Sequence, residues 1–471
     1  MIVKQNEPLK YDSTAMRSTP VEAHKASGIP LSLLSELHCP YCGSAINVAV
    51  RLPERSRLDS IDYGILQCAC NLYPVVAGIP IIQHVDGLQS IVTFVRAGDQ
   101  RRALLQAMNV FRVKWAHRTK WHQLKYYVDC RKLISSSDLY FQDAVNLVRR
   151  PKVFSDYLFH RYANPSFLAA IGPLHLLGTL EDVRGHGTTS SNNPIRVLDL
   201  ACGAGHTSFL MRHLFPELSV YSVDHDFVSL YLAKRYLAPN STYLCLDAEV
   251  PSPFPDAYFD ALFCLDAFHY FRSKRAIVAE LNRVSKQYAL WLFPHLHNAL
   301  QQNLVAGIPL SPDMYLECFS SALPKIFDET EIVNGLSKRH ELNLSLNLSA
   351  SDLNNSQTLT LIGGPEDLWR VHDSFPTSFC EKRSSLTINP IYRPISLDDT
   401  AKRELTWPND VMRRECLGAE AILPRSCQLS KAELQDLTNG SSKSDREQLV
   451  ELVANFVLVP LPPHYSHATF V

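Results

Sequence analysis

The chain is poor in three things, and each absence narrows what it can be. It has no excess charge: Lys+Arg 46 stand against Asp+Glu 47, a formal net charge of -1 over 471 residues. That balance speaks against a whole-protein basic surface tuned for nucleic acid, and against one that steers a strongly charged substrate. Glycine is scarce, 18 residues beside 29 prolines, so the few turns that carry glycine stand out. Long apolar stretches are lacking too. The uncharged runs from Tyr63 to Gln83 and from Gln287 to Pro312 both contain Asn, Gln and Pro, so no membrane span is expected. The first residues, MIVKQNEPLKYDST, mix charged and polar types where a signal peptide needs a continuous apolar stretch. Twelve cysteines in a chain of this length are too sparse for a secreted disulfide scaffold. A cytoplasmic location follows, with the thiols buried or bound to metal. Hydrophobic residues at 46% and charged residues at 20% fit a globular protein, and about 150 residues per domain allows three units.

Four cysteines come in pairs: Cys39-Pro-Tyr-Cys42-Gly43, then Cys68-Ala-Cys70. A Cys-x2-Cys turn followed by glycine points two thiolates at one ion, and two such turns make a tetrahedral zinc site. Residues Ile46 to Leu52 and Ile65 to Gln67 read as short strands between the pairs, as a zinc ribbon needs. Such a module has almost no core without its metal, so binding and folding are one event. The stretch Tyr73-Pro74-Val-Val-Ala-Gly78-Ile79-Pro80 resembles the end of zinc ribbons in methyltransferase-associated proteins. The second pair here is Cys-x-Cys where that pattern has Cys-x2-Cys. Four buried thiols without metal are the alternative, and His38 is a spare ligand.

Ile195-Arg-Val-Leu-Asp199-Leu-Ala201-Cys202-Gly203-Ala-Gly205-His206 is a β-branched apolar run ending in Asp, then a glycine turn into a helical segment from Thr207. Strand, turn and helix start form a cradle of backbone N–H groups for a nucleotide-like ligand. A second strand, Leu218 to Val223, ends in Asp224, 25 residues after Asp199, where a carboxylate can accept from both ribose hydroxyls. A helix follows from Phe227 to Ala238, then a third strand ending in Asp247 and Ala248. The run Phe254-Pro-Asp256-Ala-Tyr-Phe259-Asp260 enters a fourth strand, with Phe268-His269-Tyr270-Phe271 at its end.

This order resembles the class I S-adenosylmethionine-dependent methyltransferases, in the small-molecule and quinone-type branch (type 11-like), over about residues 194 to 364. The resemblance implies an α/β, Rossmann-like sheet and S-adenosyl-L-methionine as cofactor. By position, Asp199, Gly203 and Gly205 hold its amino acid end, Asp224 its ribose with His225 shaping the pocket, and Asp247 with Ala248 the adenine. Ala201 replaces the pattern's first glycine, a substitution tolerated if φ is negative. A dinucleotide site is disfavoured, because Gly-x-Gly-x-x-Gly is absent.

Methyl transfer from a sulfonium is an in-line displacement, so the protein mainly positions the acceptor. Where a base is needed, His269 is the candidate, facing the cleft beside Tyr270. Tyr157, His160, Arg161 and Tyr162 lie upstream, where an Arg or Tyr can bind the cofactor carboxylate; an ordinary amphipathic helix reads the same way. A helix is expected from Asp313 to Gly335, and the alternating Leu342, Leu344, Leu346 and Leu348 read as a strand closing a hairpin with Leu359 to Ile362. Residues 112 to 132 interleave Lys and Arg with aromatics, a pattern for nucleic acid or for a solvated helix. Capping boxes are expected at Ser430/Glu433 and Ser444/Glu447.

The organisation is thus a tail (1–30), a zinc-ribbon module (31–90), a helical linker or cap (91–160), a methyltransferase domain (161–364) and a small C-terminal α+β region (365–471). The expected activity is methylation of a small or medium organic acceptor. An RNA or protein methyltransferase that docks through ribbon and basic segment is the alternative, and a catalytically silent binding protein the third. The ribbon is also the candidate surface for a protein partner.

Overall fold

The computed structural model describes residues 28–52, 58–111, 119–148, 151–180, 194–373, 380, 385–396, 401–415, 417–440 and 442–467. Seven strands form its centre: β1 (Arg196–Leu200), β2 (Ser219–Asp224), β3 (Thr242–Cys245), β4 (Phe259–Phe263), β5 (Ser285–His297), β6 (Lys325–Asp328) and β7 (Thr358–Gly363). Their order is β3-β2-β1-β4-β5-β7-β6. β1 to β5 are parallel, and β7 runs antiparallel to both its neighbours. Covered on both faces by helices, the parallel strands are buried along nearly their whole length, as Val197, Leu198, Leu200, Leu262 and Phe263 are. Strand order reverses between β1 and β4, so the chain leaves these two strand ends in opposite directions and opens a crevice there.

Two expectations for the end of the sheet are corrected. The segment from Asp313 to Gly335 is not one helix: Pro312–Cys318 and Glu329–Asn334 are helical, and β6 lies between them. Leu323 in the left-handed region (φ +49) and Pro324 break the helix, and Ile326 and Phe327 then bury on the sheet. β6, not the leucine-rich run, pairs with β7. Only Glu341–Asn343 of that run is a strand, and it pairs with Val371–Asp373 outside the main sheet. Period-two leucines registered apolar alternation without specifying a partner.

The N-terminal module is a four-stranded antiparallel sheet of Asn47–Arg51, Gly64–Gln67, Leu72–Val76 and Ile79–Pro80. It is joined to the central sheet through its last strand. Ile81 forms a parallel bridge with Cys245 of β3, and the Ile82 N–H donates to the Cys245 carbonyl (2.9 Å). Helices Leu88–Arg96, Gln100–Val110, Lys120–Ser135, Phe141–Val148, Lys152–Phe159 and Pro165–His175 follow. Lys120–Ser135 buries Tyr126, Cys130 and Leu133; Lys114, Trp115 and Arg118 of the basic segment lie outside the described residues. No helix among the described residues is long and apolar enough to cross a membrane.

The C-terminal region adds small sheets and helices, and its Tyr465 is fully buried, donating to the Phe159 carbonyl (2.7 Å) and bonding His206 at the glycine turn (3.2 Å). Ser430 and Glu433 form the expected capping box. The second box uses Ser442 and Asp445 rather than Ser444 and Glu447. Both frames satisfy the sequence pattern, and the upstream one gives the longer helix.

Candidate active site

Asp199 is the next-to-last residue of β1 and only 1% exposed. Its Oδ2 accepts from the hydroxyls of Thr207 (2.8 Å) and Ser208 (2.6 Å), tying the strand end to the first turn of helix His206–Leu214. Burial pushes its pKa up to about 6. Between strand and helix the backbone turns through left-handed conformations at Ala201, Gly203 and Gly205. At Gly203 (φ +55) nothing lies within 4 Å of where a Cβ would stand, so the turn faces open space that a ligand can fill. Gly205 has a different reason: a Cβ there would meet that of Ala233 at 2.6 Å, so close helix packing demands glycine. Ala201 departs from expectation. Its φ is +56, not negative, so this alanine takes a conformation that costs an L-residue about 1 kcal/mol or more.

Asp224, at the end of β2, is buried and holds two turns at once, accepting from the Gly203 N–H (2.9 Å) and the Asp226 N–H (2.8 Å). Burial raises its pKa. The His225 side chain is exposed, its Nδ1 3.4 Å from Asp224. Its carbonyl accepts from Gln83 Nε2 of the N-terminal module (2.8 Å). A cavity of about 260 Å³ is lined by Asp199, Ala201, Gly203, Asp224 and His225. Asp247 and Ala248 line a neighbouring apolar pocket with Leu198, Val223 and Phe254. The sequence-selected residues therefore fall on two pockets that both draw on β1 and β2, with Gly205 in the packing against Ala233.

The opposite wall of the larger cavity holds Tyr157, Arg161, Asp266, Tyr270 and Phe271. Asp266 Oδ2 accepts from the Tyr157 hydroxyl (2.9 Å) and from Arg161 Nη1 (3.0 Å), and Arg161 also donates to Ser166 (2.7 Å). Burial drives the Tyr157 hydroxyl well above its usual range, keeping it a donor. His269 does not line the cavity. It is 1% exposed and stacks on His297 with ring centroids 4.1 Å apart; burial pushes its pKa down to about 3. Tyr270 and Phe271 take the cavity-facing positions of that run. Sequence reasoning missed Asp266, His295, His297 and Glu329. The signal is present in Phe293-Pro-His295-Leu-His297, two histidines of equal parity at a strand end, but the proline reads as the end of the strand.

The four cysteines converge as expected. The thiols of Cys39, Cys42, Cys68 and Cys70 lie within 4.8 Å of one another, with Cys68 and Cys70 3.4 Å apart and Cys39 and Cys70 3.7 Å apart. Sulfurs on a tetrahedron with bonds of ~2.3 Å stand about 3.8 Å apart, so the set fits a zinc ion, Cys-x-Cys pair included. Tyr73, fully buried, backs the cluster with its hydroxyl 3.3 Å from Cys39 Sγ.

A parallel sheet of this order thus carries a buried acid near the end of β1 and of β2, with a glycine turn between them. Residues 198–293 match the family described as methyltransferase domain. The match runs from β1 into β5 of the central sheet. The chain is similar to a demethylmenaquinone methyltransferase of Thermotoga maritima, 33% identical over 95 residues (20% of this chain, 41% of the relative). It is also similar to a malonyl-(acyl-carrier protein) O-methyltransferase of Legionella pneumophila, 29% identical over 104 residues (22% and 37%). The chain thus spans less than half the length of these curated relatives. Among solved structures, a SAM-dependent methyltransferase from Aquifex aeolicus aligns at 16% identity, covering 44% of this chain and 97% of its own, with a TM-score of 0.30.

Proposed function

We propose that the protein is an S-adenosyl-L-methionine-dependent methyltransferase acting on a small or medium organic acceptor, with a zinc ion held by Cys39, Cys42, Cys68 and Cys70 as a structural element. The observation that carries this is the joint geometry of Gly203 and Asp224: an open left-handed glycine next to a buried carboxylate at the neighbouring strand end. The cofactor supplies an electrophilic methyl and its own leaving group. The chain supplies position. Asp199, raised to about 6 by burial, would face the cofactor's ammonium, whose charge favours the ionised carboxylate. Asp224 would take the ribose hydroxyls and Asp247 with Ala248 the adenine. Arg161 and Tyr157 fix the far wall, and the exposed ring of Tyr270 offers a face on which a planar acceptor can stack. The thiols of this chain fit a reducing compartment such as the cytoplasm.

Calorimetric titration with S-adenosyl-L-methionine tests the reading. Micromolar binding is expected in the wild type, weakened roughly 10- to 100-fold in Asp224→Ala, which loses charge-assisted hydrogen bonds of about 1.5–3 kcal/mol. In Gly203→Val binding should be abolished, because the side chain fills the cradle. Unchanged affinity in both variants refutes the site.

A further inference from the structure

Beside the cofactor cavity, three side chains from two strand ends converge in a way that methyl transfer alone does not require. Asp266 Oδ1 stands 3.7 Å from His295 Nε2 and 3.7 Å from His297 Nε2, and one ligand atom of each residue lies within 4.8 Å of the others. We propose that Asp266, His295 and His297 bind a divalent first-row transition-metal ion of the Zn2+ kind. Ligand atoms on a tetrahedron with bonds of ~2.0–2.2 Å stand about 3.4 Å apart, so closure by a fraction of an ångström completes the set.

The remaining atoms of these residues are engaged as those of metal ligands are. His295 Nδ1 bonds the buried Glu329 carboxylate (2.8 Å), which leaves Nε2 to face Asp266. A carboxylate behind an imidazole in this way fixes the ring and raises its basicity toward a metal. Asp266 commits Oδ2 to Tyr157 and Arg161, leaving Oδ1 turned toward both imidazoles. His297 is only 7% exposed, and its Nε2 is buried without a hydrogen-bond partner. A protonated His295 shared between Asp266 and Glu329 would account for one histidine and leave that nitrogen unexplained; an unsatisfied buried polar atom costs about 1–3 kcal/mol. The backbone is bent to achieve the arrangement. Asp266 (φ +54) and His295 (φ +59) are both left-handed without being glycine, and the register of β5 on β7 shifts between Phe293 and Leu296. Such irregularities re-aim side chains next to active sites and persist only where the surroundings enforce them. The imidazole and carboxylate donors suit zinc or its first-row neighbours rather than calcium or magnesium. Any use of the ion in methyl transfer rests on the function proposed above, but its binding does not.

The test uses the full chain, stripped of metal by a chelator and titrated with Co2+ as the probe. The expected result is a Co2+ ion without sulfur-to-metal absorption that is lost in His297→Gln, while the absorption of the cysteine-bound ion stays unaltered. Glu329→Gln, which keeps all three ligands, should weaken the same ion 10- to 100-fold. Wild-type protein that binds Co2+ only with the sulfur signature, or a His297→Gln variant that keeps the second ion, overturns the proposal. Titration with S-adenosyl-L-methionine in the same samples reports separately on the cofactor site.

Discussion

The cysteine cluster and the Asp266–His295–His297 cluster are assembled by opposite means. The cysteines lie within 32 residues of one another (39 to 70), on two turns whose local geometry aims the thiols. The ligands of the second cluster also span 32 residues (266 to 297), but they sit at the ends of two strands, β4 and β5, and their support Arg161 lies 105 residues before Asp266. Turns aim side chains by local backbone geometry; strand ends do so only after the sheet has formed.

Metal removal should expose this difference most. Chelation, or Cys39→Ser with Cys42→Ser, is expected to unfold the N-terminal module outright, since in a ribbon the binding energy is the folding energy. Far-UV circular dichroism and thiol accessibility would report it, and cofactor affinity should fall too, because Gln83 and Ile82 brace the ends of β2 and β3. His297→Gln should leave secondary structure intact. Equal unfolding in both would erase the distinction. Next in size is Arg161→Met. It removes the guanidinium from a carboxylate that is 14% exposed, and breaking a buried pair from one side costs about 3–5 kcal/mol. Chemical denaturation in the presence of chelator measures this; a loss below about 1 kcal/mol would mean that Tyr157 and the two histidines suffice.

The glycine turn belongs with the locally built parts, and two smaller effects test it. Asp199 has a folded pKa of about 6, above the ordinary carboxylate value of about 3.9. The folded state therefore keeps a proton that the unfolded chain releases, so the group's contribution to stability declines as pH rises from about 4 to 6, by a total of about 3 kcal/mol. Melting temperature against pH, compared with Asp199→Asn, should show the decline flattened in the variant. Smallest is Ala201→Gly, which relieves the left-handed alanine and should add up to about 1 kcal/mol, less the entropy of an added glycine. A drop in melting temperature would show that the alanine methyl makes contacts worth more than its strain.

The same division explains what was legible before any coordinates. Asp199, Gly203, Asp224 and Asp247 follow strands whose apolar runs announce their own ends, so these positions emerge in order. Asp266 precedes the run that drew attention and carries no local mark. His295 and His297 hide behind Pro294, which reads as a strand terminator, whereas β5 continues past it to His297 with a shift in pairing. The conformation at Ala201 was misjudged because the sign of φ is fixed by the path from β1 into the helix, not by side-chain size. β6 reads as helix in the sequence because Lys325–Asp328 is only four residues long, too short to show a period.

The bridge between Ile81 and Cys245 has a practical corollary. β3 is one of the two edge strands of the sheet, and an uncovered parallel edge invites pairing with another chain. Ile81 and Ile82 occupy that edge. A fragment trimmed to begin after residue 90, though it would retain every strand of the sheet, should self-associate and precipitate during expression, so useful truncations are those that keep the ribbon attached.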